Sequence, residues 1–404
     1  MTTSSDYLDV AAALAGRLAD TAIWHGERCN WMGFIPRDTA QTRGRTMLEG
    51  LGPDLYSGTA GVAIFLAEAA TVLADARLAR TARGALGHAL EHADRIDGDG
   101  LHAGRPGIAY AAARVAIALN CELALCSARD VLTAWWRRRG AANAWDVIGG
   151  CAGAVSVLVA LSDIVDDATL LEKAAIAGDE LIGAAQRSDA GWLWPDPQRA
   201  SLHGLCGFAH GAAGIGHALL ELGAATGEAH FQDAGESAFD YERSWFVRRG
   251  GTWPDLREIE RRAGSDVPAP VSPTWCQGAP GIALSRLRAG LLIGSAAACA
   301  DADAALALTR GHVADLSSHA PDDFSLCHGA TGAADVLLYG KDASGLAERI
   351  GAVGIERHHR PASSFPCGIA YGETPGLFIG LAGIGLFYLR LVNPSIPTAL
   401  LIHR

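Results

Sequence analysis

The chain has 404 residues, half of them hydrophobic and 19% charged, with a formal net charge of −11 and a pI of about 5.7. Length suggests two or three domains, and the apolar fraction suffices for one large buried core. The acidic balance argues against a nucleic-acid partner, since the densest basic run, Arg137-Arg138-Arg139, is only three residues long.

In chain order, Met1 to Asp6 lacks a charged segment followed by an apolar one, so export is not expected and a cytoplasmic, soluble protein is. A first glycine element, Gly58-x-x-Gly61, opens onto the helix-spaced run Val62 to Ala67, and Leu78 to Leu86 reads as a second helix. His88 and His92 follow at i, i+4 spacing, which reads as a solvated helix face for want of further ligands nearby. The glycine element returns at Gly104/Gly107 and at Gly150/Gly153, the latter four residues after Asp146. Residues 188–201 hold Gly191-Trp192-Leu193-Trp194-Pro195, which reads as short strands or a loop excursion beside the site.

His210 stands directly before Gly211/Gly214, with the helical run Ile215 to Leu220 behind it. A second excursion, 248–273, precedes Trp275-Cys276 and Gly278/Gly281. Cys327-His328 precede Gly329/Gly332, and the last element is Gly380/Gly383. The longest apolar stretch, near Gly376 to Leu389, is shorter than the ~20 residues of a membrane span.

Seven glycine elements at intervals of 46, 46, 61, 67, 51 and 51 residues mark an array of two-helix units, none able to bury its own face alone. Such an array is an open solenoid or a closed ring. A ring brings Asp146, His210, Cys276, Cys327 and His328 together, and an all-α, seven-fold α/α toroid is therefore expected as one domain over 1–404, with the glycine-rich loops at one end. Cys276, Cys327 and His328 occupy matching points of their units, and two thiolates with one imidazole form a zinc set that leaves a position open. The competing reading of each is a buried residue beside a turn. The nine cysteines show no CxxC spacing, and most of the others read as small buried hydrophobes. His102, His203, His217 and Cys206 read as structural.

Six motifs in order, Leu55-Tyr56-Ser57-Gly58, Asp146-Val147-Ile148, Gly207-Phe208-Ala209-His210-Gly211, Trp275-Cys276, Cys327-His328-Gly329 and Pro375-Gly376-Leu377-Phe378, resemble the lanthionine synthetase C-like cyclases, which are α/α toroids. The resemblance implies a zinc-dependent enzyme that adds cysteine thiols to dehydroalanine or dehydrobutyrine of a dehydrated precursor peptide, closing (methyl)lanthionine thioether rings. It makes Cys276, Cys327 and His328 the zinc ligands, and His210 and Asp146 the proton-transfer candidates. It implies a dehydrated peptide as substrate and a separate dehydratase or kinase/lyase as partner. Ser272-Pro273-Thr274 and Gln277 stand where members often carry an arginine and an aromatic or histidine. Alternatives are a non-catalytic scaffold that holds a modified peptide, thiol addition from a small molecule, and zinc-dependent hydrolysis. A toroid completes its own core, so a monomer is expected.

Overall fold

The computed structural model describes residues 2–37, 45–195, 203–248, 251–256, 273–319, 321–360, 363–369 and 372–404. The glycine elements set its local structure. Gly58, Gly150, Gly211, Gly278, Gly329 and Gly380 are each the extended N-cap of a helix, and no side chain caps any of them. The loop itself does the capping. The amide after the glycine reaches a carbonyl seven residues back in Thr59→Gly52, Cys151→Ala144, Ala212→Leu205, Ala330→Asp323 and Leu381→Thr374, each at 2.9 Å.

The fourteen helices among the described residues are α1 (Ser4–Asp20), α2 (Thr59–Leu73), α3 (Ala76–Glu91), α4 (Arg105–Leu119), α5 (Glu122–Arg138), α6 (Cys151–Leu161), α7 (Leu170–Ala184), α8 (Ala212–Thr226), α9 (Ala229–Arg248), α10 (Ala279–Ile293), α11 (Ala296–His319), α12 (Ala330–Tyr339), α13 (Leu346–His358) and α14 (Leu381–Val392). The helices that follow glycine turns are apolar nearly all round, and every residue of α6 is buried. Their partners are amphipathic: α3 buries Leu78, Ala82, Ala85, Leu86 and Ala89 along one stripe and is capped by Asp75. Alternation of buried and half-buried helices is the two-helix unit expected from the repeat. None of the described helices is long and apolar enough to cross a membrane.

Three antiparallel hairpins are the described sheet structure: β1 (Ile23–His25) with β2 (Arg28–Asn30), β3 (Met32–Arg37) with β4 (Arg45–Gly50), and β5 (Gln186–Ser188) with β6 (Gly191–Leu193). The last begins two residues before the first expected excursion, overlaps its start and leads to Trp194, whose Nε1 donates to the Leu181 carbonyl at 2.7 Å. Of the second excursion, Trp253 is buried with its ring 4.4 Å from that of Phe246. Residues 196–202 and 257–272, with Ser272, lie outside the described residues.

The chain divides into two compact units. The first comprises Met1–Asp97, Gly107–Trp135 and Val313–Ala399. In it the turns of the sixth, seventh and first repeats are joined by backbone bonds, Cys327 N–H to Phe378 O at 2.9 Å and Phe378 N–H to Tyr56 O at 2.8 Å. The last repeat thus lies beside the first. The last helix, α14, is covered by α1, with Tyr7 and Tyr388 ring to ring at 6.2 Å.

The second unit comprises Gly98–Pro106, Trp136–His312 and Leu400–Arg404. It holds the turns of repeats two to five, linked by Leu101 N–H to Val147 O (3.1 Å), Val147 N–H to Ala209 O (3.1 Å) and Ala209 N–H to Cys276 O (2.9 Å).

Candidate functional site

These ladders decide which side chains meet. In the second unit, Val147 and Ala209 are bonded neighbours, so the preceding Asp146 and the following His210 face each other across adjacent turns. His210 Nδ1 donates to Asp146 Oδ2 at 2.5 Å, and Asp146 Oδ1 accepts the Gly149 amide at 2.9 Å. With one carboxylate oxygen on its own turn and the other on the imidazole, Asp146 both caps and orients. The His210 ring is 40% exposed, as a group that exchanges protons with a substrate needs to be. Ala144, Trp145, Trp194, Pro195, Leu205 and Ile215 border the hollow beside the pair.

Cys276 belongs to the same unit and is one bond from this pair, through its carbonyl to the Ala209 amide. Its thiol is half-buried, 3.3 Å from the Thr274 hydroxyl. Trp275 before it is buried, edge-on to His102 at 5.3 Å, with its Nε1 donating to the Leu400 carbonyl at 2.9 Å. Burial of His102 pushes its pKa down to about 3 and keeps it neutral.

Cys327 and His328 belong to the first unit. Cys327 is buried, while the His328 ring is 37% exposed. His328 Nδ1 donates to Asp323 Oδ2 at 2.6 Å, and Ser325 Oγ lies 3.4 Å from the same nitrogen. Gly368 makes room for the ring, because a Cβ there would stand 2.5 Å from His328 Cε1. With Nδ1 protonated toward Asp323, Nε2 is the ring nitrogen with a lone pair for a cation, and a carboxylate behind Nδ1 is the usual outer partner of a metal-binding imidazole. Two thiols and an imidazole so oriented fit zinc chemically. Among the described residues, neither unit by itself gathers three or more His, Cys, Asp or Glu side chains into a metal-holding group. The expected ligands are divided, Cys276 in the second unit and the other two in the first.

Asp323 was missed in the sequence, although its signal was there: an Asp two residues before Ser325, whose amide it accepts at 2.6 Å. The His88/His92 reading needs correction. His88 is not solvated but lies half-buried between Asn30 Nδ2 (3.0 Å) and Thr59 Oγ1 (2.9 Å), tying α3 to β2 and to the first turn. Among the remaining cysteines, Cys29, Cys151, Cys206 and Cys367 are buried, and burial raises all four thiols. Cys121 and Cys126 are only part-buried and Cys299 is exposed.

Nisin cyclase has a similar fold: TM-score 0.62, 16% sequence identity, covering 84% of this chain and 89% of that one. More remote are a family 76 glycoside hydrolase from a bovine Bacteroides thetaiotaomicron strain (TM-score 0.43, 12% identity, 96% and 77% covered) and cellobiose 2-epimerase from Spirochaeta thermophila (0.41, 12%, 97% and 98%). The likeness to nisin cyclase fixes the fold class as all-α, of the α/α-toroid type. The sequence has no significant match among curated proteins. The family model for lanthionine synthetase C-like protein matches residues 49–401, and the chain belongs to that family.

Proposed function

We propose that this protein is a cyclase that adds cysteine thiols of a dehydrated peptide to dehydroalanine or dehydrobutyrine, forming (methyl)lanthionine rings. The observation that carries this reading is the Asp146–His210 pair, held one backbone bond from the Cys276 turn. Family membership and the likeness to nisin cyclase support it.

In the reaction the substrate sulfur bonds to the alkene β-carbon, and the alkene electron pair moves into an enolate. A proton then joins the α-carbon, so the thiol proton is conserved overall. With Nδ1 on Asp146, His210 presents Nε2 to accept the thiol proton and return it to carbon. Asp146 holds the tautomer and stabilises the imidazolium while the proton is resident. Cys276, Cys327 and His328 would hold a zinc ion, whose chemistry is to favour the thiolate form of a substrate cysteine near neutral pH.

Elemental analysis of the native protein and a Cys327→Ala variant, followed by a cyclisation assay on dehydrated peptide, tests the proposal. Native protein is expected to carry about one zinc per chain and to close rings, with both lost in the variant. Native protein that holds zinc but closes no ring would favour a peptide-holding scaffold.

A further inference from the structure

Behind the His210 loop, in the second unit, lies a buried ion network outside the chemistry above. Glu242 on α9 and Arg286 on α10 are both fully buried and meet at 2.7 Å. The guanidinium lies 3.5 Å from the centroid of the Phe239 ring, and its Nε approaches Asp301 at 3.4 Å. Asp301 is in turn held by Arg243 at 2.9–3.1 Å. Stability is a poor reason to bury such a pair, because well-packed apolar residues in its place are often neutral or stabilising.

The other oxygen of Glu242 accepts the Gly207 amide at 2.6 Å. Gly207 has φ +98, and a Cβ there would stand 2.5 Å from the Cα of Gln277. Its backbone is therefore pressed onto the residue after Cys276. Two residues later, Ala209 bonds the Cys276 carbonyl, and His210 follows. Glu242 thus grips the loop where the proton-transfer residue and a cysteine turn are clamped together.

We propose that Glu242 is a positioning residue: charge-balanced by Arg286, its carboxylate fixes the Gly207 amide and so sets where His210 stands relative to the Cys276 turn. The catalytic part of this inference rests on the role given to His210 above. The double variant Glu242→Leu/Arg286→Met removes both charges together and leaves the Gly207 amide without its acceptor. Amide exchange at Gly207 is expected to rise about tenfold or more. Ring closure should lose roughly tenfold or more in kcat, with KM and zinc content little changed. Arg243→Ala, which weakens the same network without touching Gly207, should leave Gly207 exchange and kcat within about twofold of native.

Native Gly207 exchange or native kcat in the double variant would overturn the proposal, as would an equal kcat loss in Arg243→Ala. If the double variant does not fold, Gly207→Ala, which crowds Gln277 with the ion pair intact, must reproduce the kcat loss, and native kcat there overturns it. A native protein that closes no ring would remove the cyclase reading alone, and the exchange contrast would still decide the Glu242 contact.

Discussion

Two histidines of the second unit show how surroundings divide labour between like side chains. His210 is partly exposed and paired with Asp146, which suits it to the proton transfer proposed above. His210→Asn should lower kcat for ring closure by roughly 10²–10⁴-fold, while zinc content stays native. Asp146→Asn leaves the ring in place without its charge partner and should cost less than the loss of the histidine. Steady-state kinetics with elemental analysis checks both. His102 is fully buried, and its pKa is depressed by burial to about 3. The unfolded chain protonates this imidazole below pH ~6.5 while the folded chain keeps it neutral, so the unfolded state binds more protons. Its contribution to stability is therefore present above pH ~6.5 and is lost as pH falls toward about 3, by about 1.4 kcal/mol per pH unit at most. Urea melts at pH 7 and pH 4.5 should show a smaller acid-induced loss for His102→Asn than for native protein.

At the scale of the element, the repeat is enforced at the second glycine of six turns, Gly61, Gly153, Gly214, Gly281, Gly332 and Gly383, where an added Cβ would meet a backbone carbonyl oxygen. A Cβ on Gly281 would overlap the Trp275 carbonyl oxygen and stand 2.7 Å from Phe208 Cβ, so neither its own turn nor the neighbouring one could stay in place. Gly281→Ala should destabilise by about 1–3 kcal/mol or more, as overpacking does. Gly183 on α7 has open space where an added methyl would stand, and Gly183→Ala should instead stabilise by about 0.5–1 kcal/mol through helix propensity. Thermal denaturation of both variants separates a steric requirement from mere helix preference.

At the scale of the molecule, the chain after α14 is woven into buried polar partners in each unit. In the first, Arg390 bonds Asp335 at 2.5 Å and also the Ile396 carbonyl, and Arg114 reaches the Pro397 carbonyl at 3.3 Å. In the second, Trp275 and His217 donate to the Leu400 and Ile402 carbonyls, each at 2.9 Å. Arg390→Met would strand Asp335 inside the first unit with only the Thr398 hydroxyl, and should cost about 3–5 kcal/mol in chemical denaturation. Within the same unit the last repeat packs against the first, since α1 covers α14 and the Phe378 amide bonds Tyr56.

The glycine period by itself determined the two-helix unit, the position of each turn and the residues standing at those turns. Matching positions, Cys276 beside Gly278 and Cys327-His328 beside Gly329, were visible because a turn that must exclude side chains leaves glycine no substitute. Asp146 and His210 were legible as neighbours of such turns and as proton-transfer candidates, but the contact geometry that pairs them was not. It arises from the Val147–Ala209 backbone bond, between residues far apart in the chain. The role of α1 was likewise hidden, because an amphipathic helix specifies only that it will cover an apolar face and leaves open which one. Asp323 carried only a turn signal in the sequence, and its role, like that of Glu242, came from the tertiary structure. An acidic residue becomes an orienter of His328 or an anchor for Gly207 only when folding brings it within hydrogen-bond distance and burial removes competing water.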